Sequence, residues 1–327
     1  MRVFDRAGFV ALAIASMLLC AGTAQAADDY PNKPIKLILP AAAGGPTDVP
    51  ARIASQILQA KLGQPVIVEN RPGAGGALGA RAAASAAPDG YTLLVANTSV
   101  LAVIPAVSNS AGYDPVKSFV PIVRMTESFQ ILVVNAESPW RTLKEFVDDS
   151  KANPGKINYA HTGAGGLPHL VGELFMLRSG AKMTGVPYRS GGESVTAVLA
   201  KAVDTTIEGI AITRSLILEG KLRALGGQNR ARTPLLPDMP TMAEAGVPNA
   251  EASTFYGLVA PAGTPPSIIK KLNQALNEGL ATEETQKLIT GLGSESKPNS
   301  PEEFAAYIAA QNKIWVEVGK AANVHVN

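Results

Sequence analysis

Between residues 35 and 96 short apolar runs alternate with longer amphipathic ones, and this alternation constrains the fold more than any other feature. Ile35-Lys36-Leu37-Ile38-Leu39 reads as a buried strand ending at Pro40, and Val66-Ile67-Val68 as a second. Between them Asp48 is expected to cap a helix whose apolar positions Ile53, Ile57 and Leu58 recur at helical spacing. An alanine-rich helix to Ala86, the turn Pro88-Asp89-Gly90 and a third strand, Thr92 to Ala96, follow. Such a succession implies a parallel sheet with right-handed crossovers, because parallel neighbours need a connection that a helix supplies.

The rhythm returns further along. Gln130 to Asn135, Ile157 to Ala160, Asp204 to Glu208, Leu222 to Gly227 and Ser253 to Ala260 are expected strands. Thr142 to Ala152 is an expected helix, with Glu145 placed for a capping box. Leu170 to Leu177 and Glu193 to Lys201 read as helices, Asn229 to Pro240 as loop, and Pro265 to Asn327 as almost wholly helical. A chain of about 300 residues exceeds what one core commonly supports, so two lobes are expected. No low-complexity linker separates them, so the crossings fall within strands, near Thr126 to Gln130 and near Pro248 to Phe255. The expected division is a leader over 1–26, one lobe over 27–128 and 253–327, and a second over 129–252.

Arg2 and Arg6, the apolar run Phe9 to Cys20 and the small-residue site Ala24-Gln25-Ala26 have the order of a cleavable secretory signal peptide. The run is too short for a permanent span. Acylation at Cys20 is the weaker alternative, since Leu18 and Leu19 stand where such signals need small residues. Cleavage before Ala27 removes the only cysteine, so neither disulfides nor thiolates are expected in an exported, periplasmic chain. The formal charge of +2 falls to +1 without the leader, which argues against a nucleic-acid or membrane-surface partner.

Two loops carry the functional reading. Pro40-Ala41-Ala42-Ala43-Gly44-Gly45-Pro46-Thr47-Asp48 follows the first strand, and His161-Thr162-Gly163-Ala164-Gly165-Gly166 follows the short strand of the second lobe. Both lie at the carboxyl end of a parallel strand, where open α/β sheets bind ligands. Both also open a helix, whose free N–H groups and positive dipole end attract anions. Each alone reads equally as a tight turn or as an anion cradle, and their matching positions favour the cradle. Facing each other, they would hold a carboxylate with main-chain donors. Asn97-Thr98-Ser99 adds three small polar side chains at the same sheet edge.

The sequence offers little for catalysis, and no catalytic residue, metal or cofactor is expected. His161, His169 and His325 lack zinc-ligand spacing, and Gly192-Glu193-Ser194-Val195-Thr196 lacks the closing glycine of a nucleophile elbow. In Gly73-Ala74-Gly75-Gly76-Ala77-Leu78-Gly79, Leu78 occupies the place of the third dinucleotide-binding glycine, so this run reads as close helix packing with a share in the cleft lining. His161 and His169 flank the second loop, either touching ligand or lying solvated. Asp48 reads as a cap, and Glu208 meets a polar ligand group or a neighbouring N–H. An exported hydrolase or isomerase using Asp48, His161 or Glu208 is the enzymatic alternative.

Taken in order, Tyr30-Pro31-Asn32-Lys33-Pro34-Ile35, Gly44-Gly45-Pro46-Thr47-Asp48, Val68-Glu69-Asn70-Arg71-Pro72-Gly73-Ala74-Gly75-Gly76 and Ala87-Pro88-Asp89-Gly90-Tyr91-Thr92 resemble the Bug family. These are the TctC-type substrate-binding components of tripartite tricarboxylate transporters. Val186-Pro187-Tyr188, Gly220 to Leu225, Leu236 to Thr241, Glu244-Ala245-Gly246 and Ala260 to Pro265 extend the resemblance over nearly the whole chain. It implies an α/β fold of the periplasmic binding protein type II kind, with two lobes joined by crossing strands around a ligand cleft. It also implies that a small carboxylate-bearing molecule is gripped by Ala43, Gly44, Gly45, Thr47, Asp48, Asn97, Thr98, Thr162, Gly163, Ala164, Gly165, Gly166 and His169, with Tyr188 and Glu208 as walls. The implied partners are membrane carrier subunits, the chain itself being a monomer, and a sensor feeding a membrane receptor is the alternative role. Ala41, Arg189-Ser190-Gly191-Gly192 and Glu208-Gly209 depart from the family pattern near the expected pocket.

Overall fold

The computed structural model describes residues 29–43, 47–108, 110–163, 165–296 and 298–324. The expected leader, Gly44, Gly45, Pro46, Ala164 and His325 lie outside these. β1 (Ile35–Leu39), α1 (Asp48–Leu62), β2 (Val66–Asn70), α2 (Ala77–Ala84) and β3 (Thr92–Asn97) form the first winding. β1 runs parallel to both β2 and β3. Ile53, Ile57 and Leu58 turn inward from α1, which ends at Gly63 in the left-handed conformation. The N-cap of α1 is Thr47 rather than Asp48, and Asp48 is its first residue.

A π-helical turn over Ser99–Val103 leads to α3 (Ile104–Val107) and then to β4 (Phe119–Asn135), a single strand of 17 residues. At about 3.3 Å per residue it is long enough to serve two sheets in succession. From Phe119 to Phe129 it pairs antiparallel with β9 (Ser253–Pro261), with two register shifts. From Gln130 onward it pairs with β7 (Thr205–Gly209) on one side and β8 (Leu222–Gly227) on the other. The change of partner between Phe129 and Gln130 is where the strand passes from one set of strands to the other.

The second winding contains α4 (Leu143–Ala152), β5 (Ile157–His161), α5 (Leu167–Ser179), β6 (Met183–Pro187), α6 (Gly191–Leu199) and α7 (Ile210–Leu218). β5 is parallel to β6 and β7, and the strand path through the molecule runs β2-β1-β3-β9-β4-β7-β5-β6. The chain closes with α8 (Pro266–Leu280), α9 (Glu283–Gly291), β10 (Glu295–Ser296) and α10 (Pro301–Ala321).

Each lobe has its own apolar core, built around Leu37, Leu58 and Leu276 in one and Phe146, Tyr159 and Phe175 in the other. Burying each such side chain stabilises the fold by roughly 1.5–3 kcal/mol. α10 joins both: Phe304 and Ile308 pack with Leu94 and Phe255, whereas Trp315 and Val318 pack with Leu174 and Phe175. The C-terminal helix therefore does not belong to the first lobe alone.

Candidate functional site

β1 delivers its loop to the edge of the sheet, and the base of that loop is packed tightly. A Cβ on Gly79 would lie 2.9 Å from the Pro40 Cα and 3.0 Å from the Arg71 carbonyl, so the Gly73–Gly79 run seats α2 against Pro40. Asn70 Nδ2 donates to the Ala41 carbonyl at 3.0 Å. Ala43 is exposed at the near end of the loop. At the far end Thr47 is buried near the Tyr256 phenol, whose pKa burial raises and Thr47 partly offsets. Asp48 accepts from Arg52 Nε at 2.8 Å, which balances its charge within the first turn of α1.

β3 ends beside this loop. Asn97 Oδ1 accepts from the Val100 N–H at 3.0 Å, and its Nδ2 has no protein acceptor among the described residues. Thr98 is fully buried. Its hydroxyl donates to the Ser253 carbonyl (3.1 Å) and accepts from the Phe255 N–H (2.9 Å), so it pins the start of β9 and is withdrawn from the cleft.

Across the cleft, β5 ends at His161, which is 5% exposed, with Nδ1 lacking a hydrogen-bond partner. Its ring lies 4.7 Å from that of His169 and 5.4 Å from that of Tyr159. Thr162 is half-buried, and Gly163, at φ +91°, faces open space. The Gly165 N–H donates to His169 Nδ1 at 3.2 Å, which assigns the ring proton to Nε2. That Nε2 lies 3.6 Å from Glu173 Oε1, to which the Tyr159 hydroxyl donates at 3.4 Å. Burial lowers the pKa of His169, with His161 adding to the shift, and burial raises that of Glu173.

The Gly166 N–H is also taken, by the Gly163 carbonyl at 3.4 Å. Gly165, Gly166 and the His169 ring therefore brace the loop. Pro168 has no N–H, and the first-turn amides of Leu167 and His169 have no acceptor among the described residues. These are the donors that α5 offers to the cleft.

Tyr188 is tied to the same strand end by its N–H, which donates to the His161 carbonyl at 2.8 Å. Glu208 closes β7 and is 5% exposed, with Oε1 unpartnered. Burial pushes its pKa up to about 7, against a smaller opposing contribution from the Gly209 backbone. A Cβ on Gly191 would lie 2.7 Å from Glu208 Oε2, so a larger residue there would displace the Glu208 carboxyl. Ser194 is fully buried within α6 and donates to the Ser190 carbonyl at 3.3 Å, a position unsuited to a nucleophile. Among the described residues no group of three His, Cys, Asp or Glu side chains could hold a metal ion, and no helix is long and apolar enough to cross a membrane.

Tyr256 was not legible as a site residue. Its place opposite Asn97 comes from the antiparallel pairing of β3 with β9, more than 150 residues later in the chain. An unusual tyrosine in a strand gives no local signal of that kind.

Known proteins share this fold. The sequence model of the tripartite tricarboxylate transporter family receptor, TctC, matches residues 50–324. Protein BugT of Bordetella pertussis is 37% identical over 293 residues, covering 89% of this chain and 90% of that protein. The solved structure of MatC from Rhodopseudomonas palustris with bound malate is 32% identical, with a TM-score of 0.73 over 88% of this chain and 99% of that one. A second R. palustris protein, solved with adipate, is 28% identical, with a TM-score of 0.76 over 91% of this chain and 99% of that one.

Proposed function

Because the chain belongs to the tripartite tricarboxylate transporter receptor (TctC) family, we propose that it is an extracytoplasmic solute-binding protein that captures a small carboxylate-bearing molecule between its lobes and leaves it chemically unchanged. The observation that supports this reading is that α1 opens just after β1 and α5 just after β5, with Asn97 Nδ2 at the end of β3 and the Leu167 and His169 amides of α5 lacking protein acceptors among the described residues. The relatives solved with malate and adipate hold carboxylates, which supports the same ligand class here.

In this reading Ala43, Gly44, Gly45 and Thr47 grip from the first lobe, together with Asn97 Nδ2. Thr162, Gly163, Ala164 and the amides of Leu167 and His169 grip from the second. Tyr188 and Glu208 wall the pocket, and Asp48, Thr98, Gly165 and Gly166 support it. Hydrogen bonds to a carboxylate are charge-assisted and stronger than neutral ones. A ligand that bridges both loops binds the closed form more tightly and shifts the population toward it. The lobes divide as 27–128 with 253–327 and 129–252, α10 bridging the two, and a monomer exported by a cleaved leader delivers the closed complex to a membrane carrier.

A thermal-shift screen against a carboxylate library tests the reading, since a ligand of the native state raises the melting point. Asn97→Ala and Thr162→Val are each expected to weaken the best hit about tenfold, the effect of one lost charge-assisted bond, with the free protein's melting point unchanged. No shift with any carboxylate, or unchanged affinity in both variants, contradicts it.

A further inference from the structure

A cavity of about 420 Å³ lies where β4 changes partners, and none of the gripping residues proposed above lines it. Arg124 and Glu127 of β4, Glu295 of β10 and Tyr307 of α10 contribute to its wall. The segment that follows β8, beginning at Gln228, lines it as well. The size falls within the range of about 300–1,000 Å³ that holds organic ligands.

The wall that β4 supplies is fixed by its own bonds. Arg124 Nη1 donates to Glu127 Oε2 at 3.0 Å, and the guanidinium lies 3.9 Å over the Tyr307 ring. Glu127 Oε1 accepts from the Ser253 hydroxyl at 2.6 Å and from the Tyr307 hydroxyl at 2.9 Å. Gln228 differs. It is 1% exposed, yet neither Nε2 nor Oε1 has a protein partner among the described residues. Its main chain is held, the N–H donating to the Gln130 carbonyl at 2.8 Å and the carbonyl accepting from the Ala252 N–H at 3.0 Å. Arg124 Nε is likewise buried and unpartnered. Polar atoms left in this way cost stability, which a guest that bonds both ends of the carboxamide recovers.

The guest must both donate and accept. A hydroxyl does both, so two adjacent hydroxyls can meet the two ends of one carboxamide. Net charge selects no ion, because among the described lining residues Arg124, Arg230 and Arg232 balance Glu127, Glu251 and Glu295. Phe129 and Ile314 give the cavity apolar wall against which the carbon faces of a ring can pack. We propose that this cavity is a second binding site, for a small neutral polyol the size of a monosaccharide or cyclitol, held by the Gln228 carboxamide and Arg124 Nε. It is separate from the carboxylate site and stands or falls without it.

Isothermal titration of the full chain with glucose, ribose and myo-inositol tests this, with glycine as a zwitterionic control. At least one of the three polyols is expected to bind saturably. Gln228→Leu should weaken it about tenfold, the effect of two lost neutral hydrogen bonds, with the free protein's melting point no lower than that of the wild type. Pro234→Trp, at an exposed lining position, should narrow the cavity and weaken the same polyol. Asn97→Ala, in the carboxylate site, should leave polyol affinity unchanged. Saturable binding of none of the three, an affinity unchanged in both Gln228→Leu and Pro234→Trp, or a polyol lost in Asn97→Ala overturns the inference. Glycine binding through Gln228 more tightly than every polyol overturns it too.

Discussion

The two glycine-rich loops resemble each other in composition and in place, yet they are held by different chemistry. The first is braced by the meeting of Thr47 with Tyr256, the Asp48–Arg52 pair and the Asn70 carboxamide. The second is braced by His169, whose Nδ1 must stay unprotonated to accept from Gly165. Its surroundings add His161, Glu173 on the same helix, and Glu208 at the end of a nearby strand. One lip of the cleft is thus braced without a histidine, and the other by a histidine whose acceptor nitrogen is lost on protonation. Likeness of sequence at two anion-binding turns does not carry over to likeness of control.

The largest effect expected from this contrast concerns Glu208. Its carboxyl sits at about 7 in the fold against an ordinary 4.5. Between those values the native state keeps a proton that the unfolded chain has released, so stability falls as pH rises through that window. The change is on the order of 3 kcal/mol, and Glu208→Gln should remove it from urea-unfolding curves taken between pH 4.5 and 8. A slope equal to that of the wild type in this variant would place the titrating group elsewhere.

Next in size is Thr98, on the lip braced without a histidine. Thr98→Val leaves the buried Phe255 N–H unpaired at nearly constant volume, and should lower unfolding stability by about 1–3 kcal/mol with no dependence on pH. A pH-dependent loss would break the contrast between the lips.

The smallest effect separates support from contact at His169. Asparagine can present an acceptor where Nδ1 stands, and leucine cannot. His169→Leu should weaken the best carboxylate hit about tenfold, whereas His169→Asn should bind like the wild type at pH 7. Wild-type affinity should also fall as acid protonates His169 and removes its acceptor, at a pH below the ordinary imidazole range, since burial lowers its pKa. The asparagine variant should show a flatter profile in the same titration series.

How much of this was legible beforehand depended on how local each signal is. β1 and β3 are buried strands and β2 a partly exposed edge strand, all separated by helices and turns, so their order and parallel sense follow from spacing alone. The first half of β4 was not recognised, because Pro121, Arg124 and Glu127 interrupt its apolar pattern. Those residues are accommodated by register shifts against β9 and by the pairing of Arg124 with Glu127. β6 was missed for the opposite reason: it is a largely exposed edge strand, with no apolar run to reveal it. α7 follows β7 without a loop, Gly209 ending one and capping the other.

The site divides in the same way. Glycine loops between a strand and a helix are local, and their positions could be read from the chain. The capture of Thr98 by β9, the meeting of Tyr256 with Thr47, and the His169–Gly165 bond depend on tertiary placement. Spacing therefore points to segments, whereas the partners of individual atoms within them depend on the fold. Several of those polar groups are spent on holding the loops in shape.

A crystal structure of the protein with the tightest carboxylate from the screen tests the central claim most directly. Carboxylate oxygens are predicted about 2.7–2.9 Å from donors at the start of α1 or Asn97 Nδ2 on one side, and from the Leu167 or His169 amide on the other. A carboxylate bound away from these helix starts, or held by one lobe alone in a closed complex, would contradict it.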